Sequence, residues 1–132
     1  MNISAKINSS FNQHDISVQT DGDSKMISIS PKSSGYGSSI NGGELLLLSL
    51  ATCFCNDLYR EAKKRNIPID SIEVECAGNF GAEGETGSNF QYKANLKSPA
   101  TRDEIDKLIA YTDQIAEVHN TLRRGIQVTL NK

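Results

Sequence analysis

The sequence predicts an α+β fold with the element order β-β-β-α-β-β-α-α-β. Three observations carry that prediction: apolar residues alternate with polar ones near the N-terminus and again over Ser71–Lys97, a long proline-free segment near Gly43–Asn66 separates the two stretches, and a helix-start signal opens at Thr101. A chain of 132 residues fits one domain, 1–132, and at this size roughly 68% of the unfolded surface can be buried, enough for a core without disulfides or metals.

In chain order, Ile3, Ala5 and Ile7, then Ile16 and Val18, then Met26, Ile27 and Ile29 mark three strands, the last following the turn Asp21-Gly22-Asp23. They suggest a meander. The stretch Pro31–Gly43 is rich in Ser and Gly and reads as a mobile surface loop, a connector more than a lid. The segment GGELLLLSLATCFCNDLYREAKKRN that follows consists mostly of good helix formers. Leu45–Cys55 is apolar on nearly every face whereas Arg60–Asn66 is charged, so the first half is expected inside and the second in water. A helix apolar all round needs cover on every side, which one three-stranded sheet does not supply, so two sheets, a partner subunit or both are expected.

Pro68 closes the helix. Ser71–Phe80 places Ile72, Val74 and Cys76 on one face of a strand, and Asn89–Lys97 alternates Phe90, Tyr92, Ala94 and Leu96 with polar residues, giving a hairpin with one wet face. Thr101 and Glu104 spell a capping box ahead of Ile105, Leu108, Ile109, Thr112 and Ile115 at helical spacing. A short helix through Val118–Arg124 ends at Gly125, and Ile126, Val128 and Leu130 are expected to form a last strand.

A net charge of −2 and a pI near 5.6 give no broad attraction to nucleic acid or to anionic membranes. There is no apolar run long enough to span a bilayer and no signal-peptide pattern at the N-terminus, so a cytoplasmic location is expected. The three cysteines are then expected to be thiols.

Those cysteines differ by position. Cys76 alternates with Ile72 and Val74 and reads as a small core residue. Cys53 and Cys55 lie about 200° apart around a helix, so they neither join in a disulfide nor share a metal. With two His and no Cys/His cluster, no metal site is expected. Cys53 stands where its helix face, Leu46, Ser49, Asp57 and Arg60, turns from apolar to polar. A free thiol with a pKa of about 8.5 is mostly protonated at neutral pH, and Cys53 lies roughly 14 Å from its own helix start, beyond the reach of that dipole, so a cation is required. Arg60 favours ionisation and Asp57 opposes it. Spacing alone leaves Cys53 equally readable as a structural half-buried thiol and as a reactive one. His119 reads as a surface or helix-end histidine, with a base beside Cys53 as the alternative, and Arg123-Arg124 as complements to a helix dipole.

The string GGELLLLSLATCFCNDL resembles the signature helix of the OsmC/Ohr family, whose PxELLLAALGACxxxDV pattern carries the peroxidatic cysteine; Cys53 falls on that position. AEVHNTLRRGIQV resembles the family's second motif, CPVxNTLxxGxxV, through Val118, Asn120, Thr121, Leu122, Gly125 and Val128. The resemblance implies an OsmC-like fold and an intertwined homodimer, with two sheets wrapped around paired central helices. It also implies cofactor-free, thiol-dependent reduction of hydroperoxides, chiefly organic ones, with Cys53 attacking and Glu44 matching the glutamate of the ELLL string. Two departures stand beside it. Ala116 occupies the place of the resolving cysteine, so an external thiol must complete a cycle, and no arginine precedes Arg60 to pair with the thiolate. The alternative is a non-catalytic dimer that binds a small hydrophobic molecule in its cleft, with Cys53 structural or redox-sensing.

Overall fold

The computed structural model describes Met1–Lys132, which fold as two compact units, Met1–Leu45 and Leu46–Lys132. In the first unit β1 (Ile3–Ser10), β2 (Gln13–Thr20) and β3 (Asp23–Ile27) form the expected antiparallel meander in the order β1-β2-β3. Ile16 pairs with Ile7 on one side and Ile27 on the other and is the buried centre of the sheet. The β2–β3 turn places Asp21 at φ 47° and Gly22 at φ 96°, the left-handed geometry that tight hairpin turns require.

The Ser/Gly-rich stretch is held in place, which corrects the expectation of a mobile loop. Pro31 and Ser38 form a β-bridge, the Lys32 N–H donates to the Gly37 carbonyl at 3.1 Å, and the Gly35 carbonyl accepts the Asn12 N–H at 2.7 Å. Gly35 has φ +87°, and a Cβ there would lie 2.5 Å from the Phe11 ring. Its glycine is therefore required by both backbone and packing, so composition that reads as flexibility instead encodes a fitted turn.

Helix α1 (Gly42–Lys64) carries the chain from the first unit into the second. Its start is a reciprocal cap: the Glu44 N–H donates to Asn41 Oδ1, and Glu44 Oε2 accepts the Asn41 N–H, both at 2.8 Å. The second unit continues with β4 (Ser71–Asn79), β5 (Ser88–Lys97), α2 (Arg102–Ile115) and α3 (Glu117–Arg124). The hairpin pairs Ile72 with Leu96, Val74 with Ala94 and Cys76 with Tyr92. This face packs with Phe54, Leu58 and Ala62 of α1, Leu108 of α2, and Ala116. The Thr101–Glu104 capping box is present in full, and Gly125 ends α3 at φ 65°.

Two expectations are corrected. In α1 the buried positions are Leu50, Phe54, Asp57, Leu58, Glu61 and Ala62, so the deeper half is the second, not the first. The spacing explains it: these residues form one stripe facing the hairpin and α2, whereas the leucine run at the start is apolar all round and a single chain offers it no enclosing layers. Leu48 is 58% exposed. Nor do residues 126–130 form a strand, because no sheet edge pairs with them; Val128 is 94% exposed. A strand without a neighbour leaves its backbone groups to water. No helix is long and apolar enough to cross a membrane.

Candidate functional site

Cys53 is half-buried on α1, and all three cysteines are free thiols. The i,i+4 spacing brings Asp57 directly beneath it, and the Cys53 thiol donates to Asp57 Oδ2 at 3.7 Å. The other carboxylate oxygen, Oδ1, accepts from Arg60 Nη1 at 2.7 Å, so an exposed guanidinium orients a carboxylate that is 4% exposed. Both oxygens of Asp57 are thus assigned, one to the sulfur and one to the cation.

Helix α3 closes the site from the other side. Its first turn supplies Glu117, and the Cys53 sulfur and one carboxylate oxygen each of Asp57 and Glu117 all lie within 4.8 Å of one another. The backbone N–H of the next residue, Val118, acts to lower the Cys53 thiol. That N–H belongs to the first turn of a helix, where amides lack intrahelical partners and the dipole favours negative charge. Where α1 itself offers only the Arg60 cation, α3 supplies an amide and a dipole end.

The charges oppose that help. Burial pushes the Cys53 thiol above its ordinary value, the Val118 N–H pulls it back, and the charges of Asp57 and Glu117, with the thiol's own hydrogen bond to Asp57, push it up again. Asp57 is displaced in the same direction: burial raises it, Arg60 lowers it, and the Glu117 charge raises it. Although a thiol and two carboxylates are atoms that hold metals elsewhere, the positive charge at this cluster is the Arg60 guanidinium.

Glu44 stays at the exposed start of α1, engaged with Asn41. It stands nine positions before Cys53 on the helix, roughly 14 Å along the axis. Cys55 and Cys76 are not part of the cluster; Cys76 faces the core, and burial raises its thiol. His119 is not on the surface as expected. It is 4% exposed, its ring packs 5.5 Å from Phe54 and 4.5 Å from Tyr92 between ring centres, and both ring nitrogens are buried without a partner. Burial pushes its pKa down, keeping it neutral. Arg123 binds Asp113 Oδ1 at 2.5 Å, and Asp113 also accepts the Tyr92 hydroxyl; burial first, then that bond to Asp113, push Tyr92 up to about 12. The residue the sequence reading missed is Glu117. Its one signal was an acid in the first turn of the short helix, directly after Ala116.

The chain matches the family model described as OsmC-like protein over residues 35–131. No curated protein matches it. Among solved structures it is similar to an OsmC-like protein of Mycoplasma pneumoniae, at 20% identity over 95% of this chain and 87% of that one, with a TM-score of 0.67. An organic hydroperoxide resistance protein OsmC of Legionella pneumophila shows 20% identity, covering 98% and 95%, with a TM-score of 0.61. An organic hydroperoxide resistance protein of Elizabethkingia anophelis, with thiocyanate bound, shows 20% identity, covering 97% and 92%, with a TM-score of 0.63. At these identities the likeness is one of fold.

Proposed function

The chain belongs to the OsmC-like family, and from that premise we propose that it reduces hydroperoxides, chiefly organic ones, through Cys53 acting as a single peroxidatic thiol. The observation that carries the reading is the half-buried Cys53 sulfur set beside the first turn of α3, within 4.8 Å of a Glu117 carboxylate oxygen, where the Val118 N–H acts to lower the thiol. A thiolate formed there has a hydrogen-bond donor and a dipole end to hold it. The sulfur attacks one peroxide oxygen, the O–O bond breaks, and Cys53 becomes a sulfenic acid while an alcohol leaves. With Ala116 in the resolving position and buried, an external thiol returns the sulfenic acid to the thiol through a mixed disulfide. Glu44 serves this reading as the cap of the helix that carries Cys53.

The working form is a single OsmC-like domain completed by a second copy, an intertwined homodimer. Support comes from the leucine run of α1, which one chain leaves partly uncovered, and from Ile126, Val128 and Leu130, apolar and 61%, 94% and 84% exposed.

A second reading is favoured by the two carboxylates set beside the sulfur, which with burial push the Cys53 thiol up. In that case the chain binds a small hydrophobic molecule without turnover. Reduced protein treated with one equivalent of cumene hydroperoxide separates the two. Peroxidase chemistry gives a mass gain of one oxygen and a trappable sulfenic acid at Cys53, absent in Cys53→Ser. If Cys53 stays a thiol under those conditions, the second reading stands.

A further inference from the structure

We propose that Asp57 is the proton relay of this thiol site, taking the Cys53 proton on Oδ2 as the sulfur attacks and returning it to the departing alkoxide. The inference rests on the peroxidase reading above. The Cys53 S–H bond breaks and its proton moves to the Asp57 carboxylate; the sulfur lone pair forms an S–O bond with the distal peroxide oxygen; the O–O bond breaks; the alkoxide takes the proton from Asp57. Thiol plus hydroperoxide become sulfenic acid plus alcohol, with no further reactant in this half of the cycle.

Geometry selects Asp57 for the role. It is the side chain that accepts the Cys53 thiol, it is shielded from bulk water, and Arg60 fixes its other oxygen so that Oδ2 stays on the sulfur. The remaining charged groups at the cluster are Arg60 on α1, which has no proton to exchange near neutrality, and Glu117 on α3, whose side chain is exposed. His119, the residue type most often used as a proton carrier, has its ring against Phe54 and Tyr92 and no hydrogen bond to the site. Burial and Glu117 also raise the basicity of Asp57, which brings its proton affinity closer to that of the groups it must serve.

The test compares three reactions of Cys53 in the intact protein. Cumene hydroperoxide expels an alkoxide that needs a proton, whereas peroxybenzoic acid expels a carboxylate and iodoacetamide expels iodide, neither of which does. In Asp57→Asn, oxidation by cumene hydroperoxide is expected to fall by about 10²-fold or more, the usual scale of general acid–base catalysis. Oxidation by the peracid and alkylation fall less, because they lose the acceptance of the thiol proton but not its return to a leaving group. Asp57→Glu, which keeps the carboxylate, regains part of the loss and serves if the Asn variant fails to fold. An equal fall in all three reactions, or no fall in any, overturns the relay while leaving the peroxidase reading intact. Wild-type Cys53 inert to both peroxides removes that reading and the relay with it.

Discussion

Two acids one helical turn apart on α1 sit in opposite electrostatic regions. Glu61 is 2% exposed and surrounded by cations: Lys64 Nζ and Arg65 Nη1 at 2.8 Å and Arg60 Nε at 3.2 Å. Hydrogen bonds to those cations pull its carboxyl down to about 2. Asp57, comparably buried, has one cation against it and a second carboxylate close by, and is pushed up by burial and then by the Glu117 charge. The same helix thus contains an acid held firmly ionised and an acid whose proton affinity is raised. Burial alone does not decide which; the count of partners does.

Removing what both regions stand on has the largest expected effect. Leu58 is fully buried between them, and Leu58→Ala should cost about 2–5 kcal/mol, read as a lower urea midpoint at unchanged slope. The next test pits the two acids against each other by pH. Glu61, lowered from 4.5, contributes stability that is complete above that value and lost as pH falls toward about 2. Asp57, raised from 3.8, does the reverse: the folded state gains stability as pH falls through its raised value toward 3.8, and loses it as pH rises. Urea midpoints measured across this range should therefore show a shallower acid loss in Glu61→Gln and a smaller decline toward neutrality in Asp57→Asn. Slopes of the same sign in the two variants would break the comparison. A smaller and pH-independent effect is expected at a neutral helix cap: Thr101→Ala, which loses the hydroxyl that accepts the Glu104 N–H, should cost about 1 kcal/mol.

Much of this was legible in the sequence, for local reasons. The meander, the β4–β5 hairpin and the two C-terminal helices follow from period-two and helical spacing, from Asp21-Gly22 and Gly125 at left-handed positions, and from the Thr101–Glu104 box. The pairing of Cys53 with Asp57 was legible too, being a one-turn relation within a helix. Glu117 and the Val118 N–H were not, since only the packing of α3 on α1 brings them to the sulfur. Which half of α1 is buried also escaped the pattern: a run that is apolar all round states that it needs cover, not what supplies it. His119 was misplaced for a related reason, as its polarity says nothing of the aromatic slot between Phe54 and Tyr92. The strand expected at Ile126–Leu130 had the right alternation but no partner edge within the chain.

The sheet pairing also fixes how this chain reaches its structure. Every ladder joins strands adjacent in sequence: β1 with β2, β2 with β3, β4 with β5. Short loops make such contacts inexpensive in closure entropy, and hairpins of this kind form in about 1–10 μs. Each sheet is able to nucleate within its own unit. In the second unit the neighbourhood of Cys53 draws on α1 and α3, the first and last helices of that unit, so it is complete only when both are in place.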